Sequence, residues 1–89
     1  MAKVRRYRVE FAPAALRALR ALPRDVQRRL RPRIDALTED PRPAGARKLS
    51  GAETLYRVRA GEYRVVYAVE DDRLLVLVVR IGHRRDVYR

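Results

Sequence analysis

Basic and aromatic side chains in the last third of the chain could carry out chemistry on a phosphate group. Arginine presents a planar fork of N–H donors that matches phosphate oxygens, but its pKa is too high for proton transfer. Histidine has an ordinary pKa near 6.5, which suits proton transfer at neutral pH. The candidate catalytic set combines these types: Arg57, Arg59, Arg64, His83, Arg84 and Tyr88. It suits RNA cleavage by attack of a ribose 2′-hydroxyl on its own phosphate, with the tyrosine stacking on a base or anchoring the C-terminus.

Other catalytic classes lack their residues in this sequence. It has no cysteine, a single histidine and no glycine-rich phosphate loop, which disfavours thiol nucleophiles, paired-histidine zinc sites and nucleotide loops. Asp71 and Asp72 fit a turn better than a metal site, because aspartate favours turns and no further ligand motif accompanies them. We therefore expect neither a metal nor a cofactor.

The charge balance points to a polyanionic partner. The chain has 22 Lys and Arg against 11 Asp and Glu, a net charge of +11, which favours nucleic acid. Coding bias explains the choice of arginine over lysine, but not the excess of basic over acidic residues. A length of 89 residues predicts one domain over residues 1–89. Without cysteine, or an apolar run of about 18 residues, we expect a soluble protein of the cytoplasm.

The last third of the chain reads as three strands joined by two tight turns. Val, Leu, Ile and Tyr dominate it, and Ala60–Gly61 and the two aspartates interrupt it. If Ala60–Gly61 is a two-residue turn, Arg57 pairs with Arg64. Arg59 then pairs with Glu62 and shares their sheet face. We expect this face to be exposed, with its arginines either solvated or binding a polyanion.

The first half of the chain predicts one strand and two helices. Alternating residues predict a strand over Lys3–Phe11, and Pro13 fits the first turn of a helix. Four apolar residues mark one face of a second helix: Val26, Leu30, Ile34 and Leu37. We expect that helix to kink at Pro32. The order β-α-α-β-β-β predicts an α+β fold, a small antiparallel β-sheet with an N-terminal helical hairpin packed on one face.

Several stretches, taken together and in order, resemble the RelE branch of the RelE/ParE toxin superfamily. They are Lys48–Gly51 (Lys-Leu-Ser-Gly), Leu55–Arg59 (Leu-Tyr-Arg-Val-Arg), Glu62–Tyr67 (Glu-Tyr-Arg-Val-Val-Tyr) and Ile81–Arg89 (Ile-Gly-His-Arg-Arg-Asp-Val-Tyr-Arg). The β-α-α beginning also fits, so the resemblance covers nearly the whole chain. It implies a RelE-like fold and a toxin of a type II toxin–antitoxin module.

The resemblance also implies an activity and partners. RelE-like toxins are ribosome-dependent endoribonucleases that cut messenger RNA in the A site and so inhibit translation. Their basic set with one aromatic falls on Arg57, Arg59, Arg64, Arg84 and Tyr88, with Arg85 as the alternative to Arg84. Further candidates for RNA binding are Lys48, Arg80, Arg85 and Arg89. The implied partners are a RelB-like antitoxin, the ribosome and messenger RNA, with a monomeric free toxin and a hetero-oligomeric toxin–antitoxin complex.

Two other functions remain open at this point. ParE-type toxins share the fold but inhibit DNA gyrase, and a basic domain can also bind nucleic acid without cleaving it. Some RelE relatives have lysines where this chain has Arg57 and Arg59, so a lysine general base has no equivalent here. The full arginine set and the Tyr88–Arg89 ending favour the RelE type.

Overall fold

The computed structural model describes residues 6–49 and 54–83. Within them, a five-stranded sheet carries two helices on one face. The elements are β1 (Arg8–Phe11), α1 (Pro13–Ala21), α2 (Arg24–Ala36), β2 (Arg47–Lys48), β3 (Leu55–Ala60), β4 (Tyr63–Glu70) and β5 (Leu75–His83). The predicted α+β class, with a helical hairpin packed against a sheet, is confirmed.

The helices begin and continue as their sequences dictate. Pro13 occupies the first turn of α1, where its missing N–H costs nothing. The second helix continues through Pro32 as a single helix, with its apolar face unbroken on both sides of the proline. Neither helix in the described part of the chain is long and apolar enough to cross a membrane.

The sheet has the order β1-β5-β4-β3-β2. Strands β3 to β5 pair antiparallel, as predicted, and β2, which the sequence did not predict as a strand, pairs antiparallel with β3. Strand β1 pairs parallel with β5, so the sheet is mixed rather than antiparallel throughout. A parallel pair needs a long connection, and the helices and the intervening strands supply it. The predicted first strand began at Lys3, and its first three residues lie outside the described residues.

The hairpin between β3 and β4 has a different register from the predicted one. The turn is Gly61–Glu62, Arg59 pairs with Arg64, and Arg57 pairs with Val66. Gly61 has a φ of 62°, a conformation that glycine adopts without strain, and this moves the turn one residue along the chain. The predicted pairs of Arg57 with Arg64 and of Arg59 with Glu62 are therefore wrong. The pairing moved by two positions, so the three arginines still share one face.

The hydrophobic core lies between the helices and one face of the sheet. The buried residues of that core on the helical side are Ala15, Val26, Leu30, Ile34 and Leu37, and on the sheet side Val58, Val65, Tyr67, Val69, Val76, Val78 and Ile81. Each large aliphatic side chain buried this way contributes roughly 1.5–3 kcal/mol. All four residues of the predicted α2 face belong to this core.

A β-bulge in β5 decides which side chains face this core. Val66 pairs with Arg80 while Tyr67 pairs with Val78, which leaves Val79 as the extra residue. An extra residue reverses the alternation of side chains beyond it. Val78 and Ile81 therefore both face the helices, and Arg80 lies on the opposite face.

Candidate functional site

Five arginines lie on the sheet face opposite the helices, and we call this set the arginine face: Arg47, Arg57, Arg59, Arg64 and Arg80. The strand register arranges them in two rows across the sheet. One row contains Arg47, Arg57 and Arg80, with Val66 between the last two. The other contains Arg59 beside Arg64. With strands about 4.8 Å apart, the four strands of the first row span about 14 Å.

Arg64 is buried, although we expected an exposed side chain. Only 5% of its surface is exposed, and it lies in β4, between β3 and β5. A guanidinium can be buried at tolerable cost only where hydrogen bonds or opposite charge compensate for its lost hydration. Arg64 is the most deeply buried cation of the arginine face.

Two pairs of arginines lie directly opposite each other on the arginine face. Arg47 lies directly across from Arg57, and Arg59 directly across from Arg64. Among the described residues, no carboxylate lies within 4.0 Å of the guanidinium of Arg47 or of Arg59. Like charges placed directly opposite each other across a sheet are destabilising. A phosphate-rich ligand would offset that repulsion, whereas the fold itself gains nothing from it.

We expected His83 to lie beside the arginines, but it lies on the other face of the sheet. It is the last residue of β5 and pairs with Tyr63, on the face that the helices cover. Its ring contacts the Tyr63 ring edge-on, with centroids 5.6 Å apart, and its Nε2 lies 4.0 Å from Oε2 of Glu62. The bulge at Val79 is the cause, because without it His83 would face the arginines.

The predicted RNA-binding residues divide between the two faces. Arg80 lies on the arginine face, as its pairing with Val66 shows. Lys48 pairs with Tyr56 and lies on the opposite face from Arg57, so we leave it out of the proposed RNA-binding set. Its neighbour Arg47, which is not among the predicted site residues, lies on the arginine face. The remaining predicted site residues lie outside the described residues: Arg84, Arg85, Tyr88 and Arg89.

A second polar cluster, which sequence reasoning missed, holds the loop between α2 and β2. We call it the loop anchor, and it consists of Tyr7, Arg42, Tyr56, Tyr67 and Asp71. Arg42 donates two hydrogen bonds to the Asp71 carboxylate, of 2.8 and 3.1 Å, and one of 3.0 Å to the Tyr56 hydroxyl. Tyr7 donates a hydrogen bond of 2.6 Å to the same carboxylate. The buried Tyr67 hydroxyl donates one of 2.7 Å to the carbonyl of Pro41.

Three members of the loop anchor, Tyr7, Arg42 and Tyr67, have raised pKa values. The hydrogen bonds to Asp71 and Tyr56 raise the pKa of Arg42, so its charge is fixed at any accessible pH. The hydrogen bond to Asp71 also raises the pKa of Tyr7. Burial raises the pKa of Tyr67 to about 12. Because these shifts raise the pKa of groups that are already protonated at neutral pH, Tyr7, Arg42 and Tyr67 keep their protons there, which fits a structural role.

A cleft of about 700 Å³ lies on the helical side of the molecule. Its lining combines apolar residues such as Phe11 and Leu19 with arginines such as Arg24 and Arg28. It is lined by none of the predicted catalytic residues in the described part of the chain, which are Arg57, Arg59, Arg64 and His83. The candidate site for phosphate chemistry is therefore the arginine face.

Comparison with known proteins identifies the family. The sequence profile of the ParE toxin of type II toxin–antitoxin systems (parDE) matches residues 9–88. The chain belongs to the RelE/ParE toxin superfamily. It is 34% identical over 80 residues to the mRNA interferase toxin RelE of Escherichia coli strain K12, covering 88% of this chain and 83% of that protein.

Solved RelE structures share the fold. The isolated E. coli RelE toxin matches with a TM-score of 0.79 and 31% identity, over 92% of this chain and 90% of that one. The toxin chain matched in the archaeal RelE–RelB complex from Pyrococcus horikoshii OT3 gives a TM-score of 0.78 and 32% identity, over 90% of this chain and 97% of that one. The chain is thus a RelE-type toxin of a toxin–antitoxin system.

Proposed function

We propose that this toxin is a ribosome-dependent endoribonuclease that cleaves messenger RNA in the ribosomal A site. The observation that carries the proposal is the arginine face, where Arg57, Arg59 and Arg64 lie on adjacent strands with Arg64 buried. The similarity to a relative named an mRNA interferase supports it. The place of action is the cytoplasm, where ribosomes translate.

The proposed reaction is an internal transesterification of the RNA backbone. The ribose 2′-oxygen attacks the adjacent phosphorus and loses its proton, and the bond from phosphorus to the 5′-oxygen breaks as that oxygen gains a proton. The products are a 2′,3′-cyclic phosphate and a 5′-hydroxyl, so atoms and charge balance. Negative charge builds on the phosphorane oxygens, and preorganised guanidinium groups stabilise it.

Every predicted catalytic residue except His83 has a role in the proposed function. Arg57, Arg59 and Arg64 bind the phosphate oxygens and supply the positive charge that a metal ion supplies in other nucleases. Arg84 adds a cation and Tyr88 stacks on a base next to the cleaved bond. His83 lies on the other face of the sheet and takes no part in these contacts.

The ribosome supplies what the arginine face lacks. Arginine is a poor proton acceptor, so charge stabilisation must be combined with accurate alignment of the 2′-oxygen, the phosphorus and the leaving oxygen. Such alignment can contribute about 7–11 kcal/mol. The A site holds the message in a fixed geometry, and we expect the toxin to cleave naked RNA poorly.

The proposed inhibitor is a RelB-like antitoxin. The Pyrococcus chain that this toxin resembles was solved as a RelE–RelB complex. A segment that covers the arginine face and presents carboxylates to it would neutralise the site while relieving the repulsion among the arginines. The free toxin is then a monomer, and the complex is a hetero-oligomer.

End-mapping of messenger RNA in a translating extract tests this function. We expect cuts within codons, produced when purified toxin is added and lost when ribosomes are removed. The ParE-type alternative rests on the family profile and predicts inhibition of gyrase supercoiling instead. Intact message together with blocked supercoiling would replace the proposed function with that alternative.

A further inference from the structure

Arg47 occupies an edge strand that the family resemblance left without a role. It lies in β2, directly across from Arg57, and its side chain is exposed on the arginine face. The described residues place no carboxylate within 4.0 Å of its guanidinium. Arg47 therefore forms the outer end of the first row of the arginine face, on the edge strand β2.

The backbone at Arg47 is held in the sheet although β2 has only two residues. Beyond the strand, the backbone N–H of Leu49 donates a hydrogen bond of 2.9 Å to the carbonyl of Leu55. Before it, the loop is held at Pro41 and Arg42 by the loop anchor. These contacts hold the backbone before and after β2, and the register places Arg47 directly across from Arg57.

We propose that Arg47 binds a backbone phosphate of the RNA next to the one that is cleaved. This inference rests on the proposed function, because it assumes that the cleaved phosphate lies over Arg57, Arg59 and Arg64. A strand spacing of about 4.8 Å places Arg47 beside that phosphate rather than on it. Arg47 is therefore a binding residue, which raises affinity for RNA without stabilising the transition state.

Lys48 provides a matched control. It is adjacent in the chain, exposed and in the same strand, but it lies on the opposite face of the sheet. Replacing either residue by glutamine removes one positive charge from the protein. A difference between Arg47→Gln and Lys48→Gln therefore reports the face and not the net charge.

The test is binding of a single-stranded RNA oligonucleotide, followed by fluorescence anisotropy over a series of salt concentrations. Each phosphate contact contributes about 0.7 to the slope of log affinity against log salt. We expect Arg47→Gln to lose about 0.7 of that slope, as Arg57→Gln does, and Lys48→Gln to lose none. Arg47→Lys keeps the charge and should restore the slope. Circular dichroism checks that all variants are folded.

Cleavage on programmed ribosomes gives the second readout. We expect Arg47→Gln to raise the half-saturating toxin concentration roughly threefold to tenfold, as for one lost contact, and to leave the rate at saturation unchanged. Two results would overturn the role of Arg47 alone. One is an equal salt slope for Arg47→Gln and Lys48→Gln. The other is an unchanged salt slope for Arg47→Gln together with a reduced slope for Arg57→Gln. Unchanged slopes for both arginine variants would overturn the proposed use of the arginine face as well.

Discussion

The arginine face and the loop anchor use the same side chain in opposite ways. In the loop anchor, Arg42 donates three hydrogen bonds to Asp71 and Tyr56, and its charge is matched by a carboxylate. On the arginine face, Arg47 and Arg59 lie across from other arginines, and no carboxylate of the described residues lies within 4.0 Å of either. The loop anchor stabilises the fold, whereas we propose that the arginine face binds a phosphate-rich ligand.

This difference predicts separable effects of mutation. Variants of the arginine face should lose activity and keep or gain stability, except at the buried Arg64. Variants of the loop anchor should lose stability and keep activity. The predictions below test that separation from the largest expected effect to the smallest.

The largest effect is expected for Arg64→Ala. Loss of one preorganised donor to developing negative charge costs about 10²–10³ in rate, and we expect single-turnover cleavage on programmed ribosomes to fall by that factor. Because only 5% of Arg64 is exposed, the fold must be checked by circular dichroism and thermal melting. Arg64→Lys keeps a charge and separates a loss of charge from a loss of packing. A folded Arg64→Ala variant that cleaves at the wild-type rate would remove Arg64 from the site.

The next effect is expected for Tyr67→Phe. The substitution leaves the Pro41 carbonyl without its 2.7 Å hydrogen bond, and Pro41 is buried, so we expect a loss of about 1–2 kcal/mol in the free energy of unfolding. Urea denaturation measures it. The rate of RNA cleavage should not change, and a loss of rate at full folding would break the proposed separation of the two regions.

The pKa of Tyr67 gives the loop anchor a pH dependence of its own. Its folded pKa is raised to about 12, above the ordinary value of 10.0, so the protonated hydroxyl stabilises the fold fully below pH 10.0. That stabilisation is lost as the pH rises from 10.0 towards about 12. Ultraviolet titration of the phenols should show a late-ionising step near pH 12 that loses one phenol in Tyr67→Phe. A wild-type titration without a late step would contradict the assigned burial effect.

A smaller effect is expected for Asp71→Ala. Tyr7 and Arg42 lose their shared acceptor, but the pair of Arg42 and Asp71 is 40% and 55% exposed, so solvent screens it. We expect a loss of about 1 kcal/mol, which lowers the melting temperature by about 4–8 °C in a domain of this size. Asp72→Ala, at the adjacent turn position, is the control and should change little. Equal melting temperatures for the two variants would show that the loop anchor does not depend on Asp71.

The sequence predicted the elements well because their patterns are local. The apolar face of α2 and the alternation in β3 depend only on spacing within one segment, and both were confirmed by the core they form. The shared face of Arg57, Arg59 and Arg64 followed from the same alternation. That prediction was correct although the predicted register was wrong. The register error was two residues, and a shift of two residues leaves each side chain on the same face of the sheet.

The features that were missed depend on single backbone conformations or on distant contacts. The turn was misplaced because Gly61, not Ala60, takes its first position. His83 was assigned to the wrong face because the run of apolar residues around Val79 does not indicate a bulge. The loop anchor joins Tyr7 to Asp71, which are 64 positions apart, and no local pattern predicts that contact.

The most direct test of the central claim compares two arginines that differ in face and not in charge. Arg57 lies on the arginine face, whereas Arg17 is exposed on α1, and glutamine at either position removes one charge. The measurement is single-turnover cleavage of messenger RNA on programmed ribosomes, with the cut ends mapped. We expect Arg57→Gln to lose about 10²–10³ in rate and Arg17→Gln to cleave as the wild-type toxin does. Equal rates for the two variants would contradict the claim that the arginine face carries out the cleavage.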